Sequence, residues 1–133
     1  MKKTHLGLAF AIFLVAALVV LGCSSNSNYT SPTGGGGGGQ KEFDSGVVAP
    51  GGSFSHVFMT AKTVPYHCSF HGGAGGVGMS GTITVQAAGV PTLHAVSMTS
   101  SLTFVPADLI IKVGDTVKWT NNATMNHTAT SDN

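Results

Sequence analysis

The chain has 133 residues, of which six are basic and five acidic, giving a formal net charge of +1. Only 8% of residues are charged and none is arginine, so the basic stripe of a nucleic-acid-binding surface is excluded. After the N-terminal segment, enough chain remains for one domain.

Lys2 and Lys3 precede an apolar run from Leu6 to Gly22, which is short for a membrane span and suits a secretory signal. The run closes on Val20-Leu21-Gly22-Cys23, and this ending resembles the lipobox of bacterial lipoproteins. The resemblance implies that residues 1–22 are a signal peptide and that Cys23 carries lipid. A multiply acylated cysteine holds firmly to a bilayer, at about 0.8 kcal/mol per buried methylene. The alternative is an uncleaved anchor helix with Cys23 idle. Either way the domain is expected outside the cytoplasm, facing the periplasm or the cell surface.

Residues 23–42 are rich in Ser, Asn and Thr and include six consecutive glycines, Gly34 to Gly39. Such a segment buries too little apolar surface to order itself and is expected to be a tether. The domain is expected over 43–133. Its first β-rich run, Ser53 to Thr60, carries Phe54 and Phe58 on one face with His56 between them. Thr82 to Val85 alternates likewise, as do Leu109 to Val113, with Leu109, Ile111 and Val113 inward, and Asp115 to Thr120, with Val117 and Trp119 inward. Turn signals at Pro50-Gly51-Gly52, Pro106-Ala107-Asp108 and Gly114-Asp115 separate the runs. No stretch after Gly22 keeps a helical period. The expectation is an all-β sandwich of about seven or eight short strands.

Between two of these runs, Tyr66-His67-Cys68-Ser69-Phe70-His71 and then Met79 place a thiolate, an imidazole and a thioether on one loop. If Cys23 is lipidated, Cys68 is a lone thiol in an oxidising compartment, and metal ligation would protect it. The donor mix suits copper, because thiolate and thioether favour Cu(I), imidazole serves Cu(II), and two histidines, one cysteine and a weak axial methionine tolerate both. The second histidine must come from elsewhere, and His127 is the candidate.

These residues resemble the small blue-copper proteins, the cupredoxins. The C-terminal half of that family is similar to Phe43-Asp44-Ser45-Gly46, Pro50-Gly51-Gly52-Ser53-Phe54, Tyr66-His67-Cys68, His71 and Gly78-Met79-Ser80-Gly81. Its N-terminal half is similar to Leu102 to Pro106, Val113 to Trp119 and Asn126-His127-Thr128. The halves occur here in exchanged order, which implies a circularly permuted Greek-key sandwich with the old termini joined through Gln86 to Val96. A joiner of about ten residues reaches roughly 30 Å, ample for one end of a small sandwich. The resemblance implies one copper ion held by Cys68, His71, His127 and Met79. Cys68 would be the strong thiolate, His71 the surface-proximal ligand and His127 the buried one. Ser69, Thr128 and Asn126 would tune the site by hydrogen bonds.

Seven residues separate Met79 from His71, a longer spacing than in familiar members, and a backbone carbonyl is the alternative axial donor. Residues 72–78 are expected to fold out as a flexible excursion. His56 and His67 are expected to be strand residues rather than ligands, and His94 to be solvated within the joiner. Met59, Met98 and Met125 are expected to pack, with Met125 a minor alternative axial donor.

The function implied is one-electron transfer between extracytoplasmic redox partner proteins. Storage or delivery of copper is the alternative. Catalysis is not expected, because copper oxidases of related fold need more histidines, in His-x-His pairs. A monomer is expected, with exchange of halves between two chains as the alternative.

Overall fold

A computed structural model describes residues 39–87 and 89–133. Eight strands follow in chain order: β1 (Ser53–Val57), β2 (Lys62–Gly73), β3 (Val77–Gln86), β4 (Leu93–Met98), β5 (Phe104–Val105), β6 (Asp108–Lys112), β7 (Thr116–Asn121) and β8 (Thr130–Ser131). The described residues contain no helix. Two four-stranded sheets result, ordered β1-β7-β4-β5 and β6-β3-β2-β8. Both are mixed, since β4 runs parallel to β7 and β3 parallel to β6 while the other pairs are antiparallel.

Period-two alternation puts one face of each strand in the core. Val64, Tyr66 and Cys68 of β2, Ile83 and Val85 of β3, Ile111 of β6, and Val117 and Trp119 of β7 are all buried. Leu109 and Val113 pack against that core from partly buried positions, as the alternation predicts. Trp119, fully buried, lies 4.9 Å from the Phe43 ring and 5.7 Å from those of Phe54 and Tyr66. The Tyr66 ring also explains why position 81 is glycine. A Cβ there would meet the Ala107 carbonyl and fall 2.8 Å from the tyrosine ring.

The domain's first and last residues pair with each other. Phe43 N–H donates to Ser131 Oγ at 3.1 Å and Ser131 N–H to the Phe43 carbonyl at 3.0 Å. Further along, Asp44 bridges Thr130 and Val48 bridges His127, both antiparallel. Glu42 reaches His56 at 3.2 Å and also pairs with Lys62, so contacts with the sheets begin within the segment read as tether.

Three details differ from the sequence reading. The Ser53 run leaves the ladder at Val57, where Phe58 N–H turns to the Asp115 carbonyl at 3.0 Å, and Met59 is 70% exposed rather than packed. The expected joiner is partly strand, because Leu93 to Val96 belong to β4 and pair with β7. His94 is therefore not a solvated loop residue; its Nε2 bonds Asp115 Oδ2 at 2.8 Å.

Asp115 fastens this end of the sandwich. Buried at 3% exposure, it accepts from Lys112 N–H (2.9 Å), His94 Nε2 (2.8 Å) and Thr92 N–H (2.7 Å). The Lys112 N–H, followed by His94, holds its carboxyl below the ordinary value of 3.8. A depressed folded-state pKa contributes stability that is full above 3.8 and lost as pH falls through the lower folded value. Denaturant midpoints measured from neutral pH down to about pH 3 should therefore fall at the acid end, and Asp115→Asn should flatten that fall while lowering stability at neutral pH. Equal acid slopes in the two proteins would contradict this role.

Candidate metal centre

β2 and β3 form the hairpin that carries the cysteine. They pair regularly from Lys62↔Val85 to His67↔Ser80, break register between His67 and Gly72, and resume with Gly72↔Gly78 and Gly73↔Val77. Residues 72–78 are thus an ordered hairpin end rather than the expected excursion. Gly75 and Gly76 turn it with φ of +79° and +80°, a backbone region that favours glycine. The irregular corner holds Cys68 and His71, and Met79 lies on the return strand.

His127 is brought to this corner by the pairing of 43–48 with 127–131 and by Asn121. Fully buried at the end of β7, Asn121 donates through Nδ2 to the Val48 and Met125 carbonyls, both at 2.8 Å, and accepts from Ala123 N–H at 2.9 Å. The connection from Asn122 to Asn126 is shaped by that amide. Sequence reading missed Asn121, although an Asn ending an otherwise apolar inward set was a usable signal.

Cys68 Sγ lies 3.4 Å from His71 Nδ1 and 3.6 Å from His127 Nδ1. The three donor atoms fall within 4.8 Å of one another. Cys68 and His127 are fully buried, and His71 is partly exposed. Thr128 N–H donates to the sulfur at 3.3 Å. A thiol has one hydrogen, so it can satisfy only one of the two imidazole nitrogens facing it. Burial, and then the electrostatic influence of the neighbouring His71, hold His127 below the ordinary histidine value against an opposing backbone contact from Thr99. Its Nε2 has no hydrogen-bond partner of good geometry among the described residues. Two imidazole nitrogens and a sulfur converging at this largely buried corner form a group that can hold a metal ion.

Comparisons with protein-family models, with curated proteins and with solved structures gave no match. The reading of this centre therefore rests on its own geometry.

Hydroxyls brace the sulfur's neighbours. Ser69 N–H donates to Thr128 Oγ1 at 2.7 Å, and Ser69 Oγ donates to Thr130 Oγ1 at 3.2 Å. The Thr130 hydroxyl stands between Thr128 Oγ1 (3.2 Å) and Asp44 Oδ1 (3.3 Å). Ser69 and Thr128 are thus hydrogen-bonded to each other beside Cys68, whereas Asn126 is exposed. Met79, 1% exposed, belongs to the same buried cluster as Cys68. Met98 packs in the core, while Met125 is 38% exposed. His56 sits at the core edge, 4.8 Å from the Phe58 ring, and His67 bonds Asp132; neither joins the donor group. Cys23 lies outside the described residues.

Proposed function

We propose that the chain is a blue-copper electron carrier of cupredoxin type, circularly permuted, with Cys68, His71 and His127 as copper ligands and Met79 as the axial donor. The observation that carries this reading is the convergence of one thiol sulfur and two imidazole nitrogens in a buried corner. Copper, when bound there, would supply a one-electron couple that this donor mix tolerates in both states. The protein's part is to keep the donors in place. Cys68 and His127 are locked by β2 and by the pairing of 43–48 with 127–131, so the site changes little between states. The Thr128 N–H takes up charge on the sulfur. His71, the one donor of the three with exposed surface, is the natural point of contact for redox partner proteins.

The exchanged order of halves is supported by the pairing of the domain's two ends. A side chain on Gly39 would fall 3.0 Å from the Asn133 side chain, so the two ends lie within a short peptide's reach. In the same reading Cys23 anchors the domain to a membrane outside the cytoplasm.

Adding Cu(II) to the metal-free chain tests this. One equivalent should produce an intense visible thiolate charge-transfer band that reducing agent bleaches and oxidant restores. A colourless complex, or one that cannot be cycled, would overturn the electron-carrier reading.

A further inference from the structure

Cys68, His71 and Met79 are joined by a hairpin whose tip does not project from the sheet. Ten residues of extended strand would carry Gly75 roughly 30 Å from Pro65. Instead, Gly75 N–H donates to Asp132 Oδ2 at 2.9 Å, while Asp132 N–H donates to the Pro65 carbonyl at 2.9 Å. The tip has folded back along the outer side of β2 and β3. It bounds a cavity of about 410 Å³ together with Pro65, Ser80, Thr82, Asp108 and Asp132. The fold-back occurs across the irregular corner between His67 and Gly72, the segment that contains Cys68 and His71.

Asp132 holds both sides of that corner. Its Oδ1 bonds His67 Nδ1 at 2.7 Å, and His67 immediately precedes Cys68. Its Oδ2 takes the Gly75 N–H beyond the corner. Both side chains are largely shielded, at 16% exposure for His67 and 14% for Asp132, so water competes poorly for these bonds. β8 brings Asp132 there, since Ser131 and Thr130 pair with Tyr66 and His67. No other side chain among the described residues bonds the backbone of 72–78 except Ser80, through the Gly78 carbonyl at 3.3 Å.

We propose that Asp132 is a positioning residue that clasps the glycine hairpin back onto β2 and thereby fixes where His71 and Met79 stand relative to Cys68. Without it, seven residues rich in glycine would connect His71 to Met79 with nothing but their own short ladder to restrain them. The consequence for the metal rests on the copper reading. The consequence for the hairpin does not.

The test compares the full chain with Asp132→Ala and Asp132→Asn, metal-free and after one equivalent of Cu(II). An asparagine keeps one acceptor for Gly75 N–H and offers a donor to His67 Nδ1 in its other tautomer, so it removes the charge and keeps the clasp. In metal-free protein, the Gly75 amide of Asp132→Ala should exchange with solvent about tenfold faster, and that of Asp132→Asn about as in the parent. With copper, Asp132→Ala should release the ion to a chelator about tenfold faster and shift the relative intensities of its charge-transfer bands, while Asp132→Asn should do neither. Unchanged Gly75 exchange in Asp132→Ala overturns the clasp. Asp132→Asn behaving like Asp132→Ala overturns it too, since charge alone would then be responsible. If Asp132→Ala fails to fold, His67→Ala, which cuts one arm, should raise Gly75 exchange by a smaller factor; no rise overturns the proposal. A parent chain that gives no blue complex defeats the copper reading, and the metal-free exchange still decides the clasp.

Discussion

Changing Cys68 to serine is expected to abolish the blue absorption entirely and to remove most of the stabilisation that Cu(II) confers. The colour requires sulfur-to-copper charge transfer, and Cys68 is the thiol that faces the two histidine nitrogens. A ligand at a thousandfold excess over its dissociation constant stabilises the folded state by about 4 kcal/mol, and the variant should lose nearly all of this. The metal-free proteins should differ much less. A serine hydroxyl is close in size, can still accept the Thr128 N–H that now reaches sulfur at 3.3 Å, and can donate to one imidazole. The measurement is a pair of thermal melts, with and without one equivalent of Cu(II), beside the visible spectrum. A copper-induced shift equal to that of the parent would mean that the ion binds elsewhere. His127→Gly should also lose the band but destabilise the metal-free chain, because it empties a fully buried ring position.

Changing Trp119 to alanine should be the most damaging substitution away from the centre, at about 3–5 kcal/mol. Domains of this size are stable by about 5–15 kcal/mol, so the variant should be partly unfolded at moderate temperature. Trp119 is fully buried and touches rings from both layers: Phe54 on β1, Tyr66 on β2, and Phe43 from the segment that pairs with β8. Urea unfolding followed by circular dichroism gives the value, and Trp119→Phe, which keeps one ring, should lose less. A loss below about 1 kcal/mol would show that the cavity collapses freely or that the ring is not central to the core.

Part of the core was legible from alternation alone. Val117 and Trp119, and Leu109, Ile111 and Val113, face inward as their spacing predicts, because a half-buried strand must place every second residue on one face. The donors were legible for a different reason. A thiol and an imidazole three residues apart are a chemical signal that needs no coordinates, whereas the convergence of Cys68 and His71 with His127 had to be observed. Less legible were the residues that act through a single distant partner. Asn121 holds carbonyls of Val48 and Met125, and Asp115 gathers Thr92, His94 and Lys112. Each of these is an ordinary polar residue in sequence, and nothing local states which distant groups it will meet.

The glycine-rich stretch after His71 illustrates the same limit. Composition alone allows every conformation, so an excursion was the natural expectation. In the fold it is a turn with defined ends, fastened by an aspartate 57 residues away. Alternation, turn residues and donor chemistry are properties of neighbours along the chain, and they pointed to the β architecture and to Cys68 and His71 as candidate metal donors. The meeting of His127 with Cys68 across 59 residues, and the closing of the hairpin by Asp132, were decided only by tertiary structure. Both depend on residues 127–132 lying against residues 43–48 and against β2, a long-range pairing whose register no local pattern encodes.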